Sequence, residues 1–262
     1  MTATLLTGVT EAQVRAALGT VVDPELDEPI TDLGFVRSVA VQGPEVAVHL
    51  RLPTSFCAPN FAWLMCSDAH DAVSAVPGVE RVVVELDDHH DSDLINRGLA
   101  AGAGYRGTFG HEAEESLDEL RAIFVRKGHT AAMERALTAL LRADRSLTEA
   151  DLQRTTLGDL PADEPTTGAL LRRRAALDLP IDPDAAVLVA ADGTRPSVGE
   201  AALFLRRARS VRISVDGNAH FCRGLLATRY PGAETDQTPR PSVDDVPLPG
   251  PTRPALPLEV LS

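Results

Sequence analysis

Val46-Ala47-Val48-His49-Leu50-Arg51-Leu52-Pro53-Thr54-Ser55-Phe56-Cys57-Ala58-Pro59-Asn60-Phe61 is the stretch whose reading decides the fold. Val46, Val48, Leu50 and Leu52 alternate with Ala47, His49 and Arg51, the period of a strand with one buried face. From Pro59 onward the period changes. Phe61, Leu64, Met65, Ala69, Ala72 and Val76 fall on one stripe of a helix, and Pro59 suits its first turn. Residues 53–58 therefore form a turn between strand and helix. Backbone N–H groups at the new helix start face that turn, and the helix dipole favours a thiolate there. Cys57 is thus the candidate functional thiol.

Working outward, Thr10-Glu11-Ala12-Gln13 has the pattern of a capping box and opens a first helix. Phe35 to Val41 alternates, and Gln42-Gly43-Pro44-Glu45 turns it into the strand above, which places His49 on a solvated face. Trp63 lies opposite the apolar stripe and calls for a second packing surface. Pro77-Gly78 ends the helix, and Val79 to Leu86 makes a third strand. Residues 10–87 are predicted as αββαβ with a three-stranded mixed sheet, both helices on one face, and a right-handed crossover.

Beyond this point, residues 100–110 read as a glycine-rich loop. Gly128 divides two helices of an αα-hairpin. Thr167 to Leu177 is a helix with Arg172, Arg173 and Arg174 solvated. Ala185 to Ala190 and Val211 to Val215 read as strands, with helices over Ser197–Arg207 and Asn218–Thr228. The fold class is α/β in the α+β sense. A small αββαβ domain spans residues 1–105, a mainly helical α/β extension 106–230, and a Pro-rich extended tail 231–262.

The chain of 262 residues is 44% hydrophobic, with 4% aromatic residues, so its cores must be built mainly from Leu, Val and Ala. A formal charge of −13 argues against nucleic acid or an anionic membrane as partner. Three scattered cysteines form no disulfide framework and suit a reducing compartment. No apolar run spans a bilayer, and the first residues lack a basic, then apolar, leader pattern. A cytoplasmic location is the expectation.

Asp87-Asp88-His89-His90-Asp91 follows the third strand. In a βαβ unit with parallel strands, that loop and the Cys57 turn leave the same sheet edge. His89 or His90 is therefore expected near Cys57, with Asp23 or Glu25 close by. One thiolate with imidazoles and carboxylates suits iron or zinc; a water-facing polar loop is the plain alternative. His111-Glu112, with Glu114-Glu115, reads as a helix start with acids near the positive dipole end. Cys66 reads as packing, and His220 and Cys222 do not share a helix face.

Val22-Asp23-Pro24-Glu25, Thr31-Asp32-Leu33-Gly34-Phe35, Thr54 with Cys57, Ser67-Asp68-Ala69 and Pro77-Gly78-Val79 with Val82 occur in that order. Over about residues 10–105 the chain resembles the iron–sulfur cluster assembly domain family, which includes SufT-like and PaaD-like metal–sulfur cluster biosynthesis proteins. The resemblance implies a compact α/β domain with its reactive cysteine at Cys57, its threonine at Thr54, and acidic motif positions at Asp23, Glu25 and Asp32. It implies an accessory maturation factor, not an enzyme, that assists assembly or delivery of iron or an iron–sulfur cluster. The partner would be a client metalloenzyme, such as a binuclear non-haem iron monooxygenase, or its assembly machinery. A cluster normally needs four ligands, so it must bridge two chains of a homo-oligomer or borrow ligands. The sequence departs from the family at Ala58, between the cysteine and Pro59, and at Asp88–Asp91, which replaces a Pro-Pro-Trp-like segment. Asp23, Glu25 and Asp32 equally suit turn and cap roles. A metal-free, chaperone-like adaptor for an apo-enzyme is the alternative. A metallohydrolase using His89, His90, Asp91 and His111 ranks last, because no nucleophile-and-base spacing supports it.

Overall fold

The computed structural model describes residues 8–110 and 117–232. The helix start expected at His111-Glu112 and the tail beyond residue 232 lie outside them. The chain forms two compact units that do not follow sequence order. The first takes described residues 8–23, 28–110 and 222–232, and the second takes 24–27 and 117–221. Among the described residues no helix is long and apolar enough to cross a membrane.

In the first unit, helix α1 (Glu11–Leu18) opens with the expected capping box at Thr10. A two-residue pair, β1 (Val22–Asp23) with β2 (Glu28–Pro29), precedes the main sheet. That sheet has the order β3 (Val36–Gln42), β4 (Glu45–Arg51), β5 (Arg81–Asp87). β3 and β4 pair antiparallel and β4 and β5 parallel, so the sheet is mixed, as its sequence predicts. A bulge between Val36 and Ser38 breaks strict alternation in β3.

Helix α2 (Pro59–Ser74) is the crossover between β4 and β5. Ala62, Trp63, Leu64, Met65 and Cys66 are all buried in succession, so α2 is covered on more than its apolar stripe. Trp63 meets Tyr105 edge-on at 5.6 Å, and Tyr105 meets Phe109 at 5.0 Å. Those aromatics lie on α4 (Gly104–Phe109), inside the segment expected to be a loop. Helix α3 (Ser92–Ala100) supports α4 because Gly98 leaves room for Thr108; a Cβ there would lie 2.0 Å from Thr108 Oγ1. Asn96 of α3 also satisfies the outer edge of β5, accepting from Leu86 N–H at 2.9 Å and donating to Leu86 O.

His49 is not solvated. Its Nδ1 lies 3.0 Å from Asp87, which also accepts from Arg37 at 2.7 Å. The parallel register pairs His49 with Glu85 and Arg51 with Asp87, which brings these acids beside it. The hydrogen bond to Asp87 raises the pKa of His49, and the His49 and Arg37 bonds hold Asp87 below its ordinary value despite its burial.

In the second unit, α5 (Leu117–Ala143) runs without a break through Gly128. Gly128 is a close-approach residue: a Cβ there would lie 2.6 Å from the carboxylate of Asp27. Asp27 is held by two bonds of 2.8 Å from Arg173 Nε, and Arg173 lies on α6 (Pro165–Ala175). Neither Arg173 nor Arg174 is solvated as expected. Arg174 is 1% exposed and donates to Pro180 O and Ala186 O at 2.7 and 2.8 Å. Residues 185–190 contribute an isolated bridge from Ala186 to Thr156 in place of the expected strand.

The strand expected at Val211–Val215 is also absent. Helix α7 (Ala201–Arg229) passes through it. Leu205, Ala208, Val215 and Ala219 are buried at helical spacing, and Arg212 interrupts the apolar run. Arg212 donates to the buried Glu134 of α5 and, at 2.8 Å, to Asp216 one turn on. Asp216 also takes 2.7 Å from Arg135, and Glu134 takes 3.1 Å from Arg209. An ion-paired seam thus replaces part of the apolar one.

Two stability predictions follow from these placements. Alanine is a better helix former than glycine by about 1 kcal/mol, yet Gly128→Ala is expected to destabilise the protein by about 1–3 kcal/mol. The obstructing carboxylate is pinned by Arg173 and cannot yield cheaply. Urea unfolding would show this, and a gain in stability would contradict it. His129 is fully buried, and neither ring nitrogen has a hydrogen-bond partner among the described residues. Burial, then the nearby Arg174 charge, pushes its pKa down to about 4 from 6.5. The unfolded chain therefore takes up a proton that the fold refuses. Stability is complete above about pH 6.5 and falls towards pH 4, by up to about 1.4 kcal/mol per pH unit. His129→Leu is expected to flatten that slope in urea titrations between pH 7.5 and 5.

Candidate functional site

The parallel pairing of β4 and β5 runs from Glu45↔Arg81 to Arg51↔Asp87. Both strands therefore end at one edge of the sheet. The turn after β4 carries Thr54 to Ala58, and the loop after β5 carries Asp88 to Asp91. Two backbone contacts join them. His89 Nε2 donates to Cys57 O at 2.8 Å, and His90 N–H donates to Ser55 O at 2.9 Å. His89 Nδ1 accepts from Asp91 N–H at 3.1 Å, and His89 N–H donates to Ser92 Oγ at 2.9 Å.

These contacts set the His89 tautomer. Nδ1 accepts, so the proton sits on Nε2. The ring is buried and both nitrogens are engaged. His89 is brought to the Cys57 turn, as the topology predicts, but it arrives as a clamp on the backbone. It could ligate a metal only by giving up one of those bonds. His90 is exposed, with its ring 5.9 Å from that of Phe56. Phe56 is itself 81% exposed beside the cysteine.

Cys57 is half-buried, one residue before Ala58, which stands at the N-cap of α2 without a side-chain cap bond. Thr54 Oγ1 lies 3.4 Å from Cys57 Sγ and accepts from Phe56 N–H at 3.2 Å. The threonine thus organises the turn and touches the thiol. Cys66 differs completely. It is fully buried, and desolvation pushes its thiol up to about 12.

The acidic motif is divided. Asp23 is buried in β1. Glu25 belongs to the second unit, where it accepts from Asn218 at 3.2 Å. Asp32 is exposed and accepts from Thr31 Oγ1 at 3.2 Å. Among the described residues no group of three or more His, Cys, Asp or Glu is arranged to hold a metal ion. Among the described residues, the thiol at this turn is the half-buried Cys57 alone.

Two participants have no signal in the sequence. Arg229 and Tyr230, at the end of α7, bond to Ser55 and Asp88. Only the structure shows them at this site, since they follow Cys57 by more than 170 residues.

Iodoacetamide alkylation read by mass spectrometry should rank the thiols. At pH 8, Cys57 is expected to react at least about 100-fold faster than Cys66, which has almost no thiolate in the fold. A Cys66 that reacts first would contradict the assignment.

A family model described as iron–sulfur cluster assembly protein matches residues 11–86. An iron–sulfur cluster carrier protein of Mycobacterium tuberculosis is 39% identical over 80 residues, 30% of this chain and 21% of that protein. One from Synechocystis is 35% identical over 78 residues, 30% of this chain and 22% of that protein. The chain thus spans about a fifth of the length of these curated relatives. An uncharacterized protein of Methanocaldococcus jannaschii is 34% identical over 92 residues, which are 35% of this chain but 95% of that protein. Through its N-terminal domain, this chain belongs to the iron–sulfur cluster assembly protein family.

Proposed function

We propose that the protein is an accessory maturation factor that takes up iron or an iron–sulfur cluster through Cys57 and passes it to a client metalloenzyme or to the assembly machinery. The observation that carries this reading is the half-buried Cys57 thiol, held in a hydrogen-bonded turn, with no complete ligand set around it among the described residues. The names of the mycobacterial and cyanobacterial relatives, cluster carriers, support it. The cluster is cargo: Cys57 supplies one thiolate, a second copy of the chain supplies another, and the partner or a small-molecule thiol supplies the remaining ligands. A binuclear non-haem iron monooxygenase is one client of suitable chemistry. Zinc is an alternative occupant, since thiolate and imidazole both suit it. Cys57 acts here as a ligand and takes no part in a catalytic turnover.

A metal-free adaptor for an apo-enzyme is the second reading. Phe56 favours it, because a largely exposed phenyl ring beside the cysteine is suited to bury against a protein partner.

Anaerobic reconstitution with Fe(II) and sulfide separates the two. The wild type is expected to gain cluster absorbance at about one cluster per two chains, with a matching rise in mass on size-exclusion chromatography. Cys57→Ser is expected to gain neither. Equal iron in the two proteins would overturn the role of Cys57, and no iron in either would favour the adaptor.

A further inference from the structure

The Cys57 turn and the His89 loop are joined twice. One set of bonds is internal to the family domain: His89 to Cys57 O and His90 N–H to Ser55 O. The other comes from the far end of the chain. Arg229 donates to Leu52 O at 3.2 Å, to Ser55 Oγ at 2.9 Å and to Asp88 O. Tyr230 OH donates to the Asp88 carboxylate at 3.0 Å. Arg51 and Arg229 stack on the Tyr230 ring, with guanidinium carbons 5.1 and 5.2 Å from its centroid. A single guanidinium therefore spans Leu52, just before the Cys57 turn, Ser55 within it, and Asp88, the first residue of the His89 loop. Its rigid fork of donors makes this reach feasible, and a lysine could satisfy only part of it.

Asp88 shows what the clamp holds. It has φ +52, in the left-handed region that aspartate tolerates but seldom prefers. Both its carbonyl and its carboxylate are bound by the C-terminal pair. Asp88 immediately precedes His89, so its backbone sets where the His89 ring enters. Freed from Arg229 and Tyr230, Asp88 would lose the bonds that offset its conformation. The His89 clamp on Cys57 O would loosen with it.

Arg229 and Tyr230 lie well beyond residues 11–86, which the family model matches. We propose that Arg229 and Tyr230 are positioning residues of the Cys57 site, contributed by the C-terminal extension, which tie the Cys57 turn to the His89 loop and limit how readily the thiol is reached. The proposal takes Cys57 as the working group of the proposed function. Its readouts involve neither iron nor a client, so it stands or falls separately from cluster delivery.

The test uses the full chain with Arg229→Met, Arg229→Lys and Tyr230→Phe. Site-resolved iodoacetamide rates are followed to their alkaline plateau, where ionisation no longer limits Cys57 and the rate reports access alone. Arg229→Met is expected to raise the Cys57 plateau about fivefold, the equivalent of one hydrogen bond's net contribution. Tyr230→Phe should raise it less, and Arg229→Lys should restore part of the wild-type protection. Amide exchange at His90 and Asp91, whose N–H groups bond to Ser55 O and His89 Nδ1, should speed up in parallel. Cys222, near the end of the same helix, serves as the control and should keep its wild-type rate. A Cys57 plateau that is unchanged or lowered in every variant overturns the proposal. So does an equal change at Cys57 and Cys222, which would mean only that the helix end frays. If Arg229→Met fails to fold, Tyr230→Phe removes one hydroxyl and carries the same comparison.

Discussion

The parallel pairing of β4 with β5 is the constraint on which the site depends. An antiparallel partner would send the next loop to the opposite edge of the sheet. Parallel pairing needs a crossover connection, and α2 supplies it. The same pairing makes Arg51 and Asp87 neighbours, so the residues that follow each strand emerge together. The bonds between the two loops follow from that juxtaposition, including the 2.8 Å bond from His89 to the Cys57 carbonyl. The helix that makes the crossover also begins two residues after the cysteine, at Pro59. One topological choice thus fixes both the helix start beside the thiol and the loop that braces it.

Holding the turn takes polar groups that are fully satisfied. His89 is buried, yet each ring nitrogen has a partner, so its desolvation is offset. The second unit follows the same rule in its seam between α5 and α7, where buried Glu134 faces Arg209 and Arg212. Breaking such a group by removing one partner costs far more than the pair contributes. His129 departs from that rule, buried with neither nitrogen bonded among the described residues, and it answers by staying neutral over the physiological range.

The first unit was legible because its periods are clean. The change from alternation in Val46–Leu52 to the helical stripe after Pro59 located the turn, and the βαβ rule placed His89 beside it. Misreadings arose where tertiary contacts override local signals. His49 alternates outward but meets Asp87 across the sheet. Gly128 resembles a helix breaker and is instead the space that the Asp27 carboxylate needs. Val211–Val215 alternates like a strand because Arg212 occupies a seam position of α7 that an apolar residue would normally mark. The Arg229 clamp was illegible in principle, because nothing periodic connects an arginine near the end of a helix to a serine in a turn 174 residues earlier.

An incomplete ligand set at Cys57 suits the proposed transfer function. A protein that supplied all four ligands would bind a cluster as its own cofactor, and release would mean breaking every bond at once. A protein that supplies one must share the cluster while holding it, and sharing lets a recipient's ligands replace a donor's one at a time. The burden then shifts from affinity to presentation: the single thiol must be held where a second chain can meet it. Cys57 is placed in that way, at the rim of the sheet, half-exposed and beside the exposed ring of Phe56. Its backbone is fixed by His89 and its turn by Thr54. The engaged nitrogens of His89 suit the proposed transfer, since a ring used as a brace must give up a hydrogen bond before it can ligate a metal.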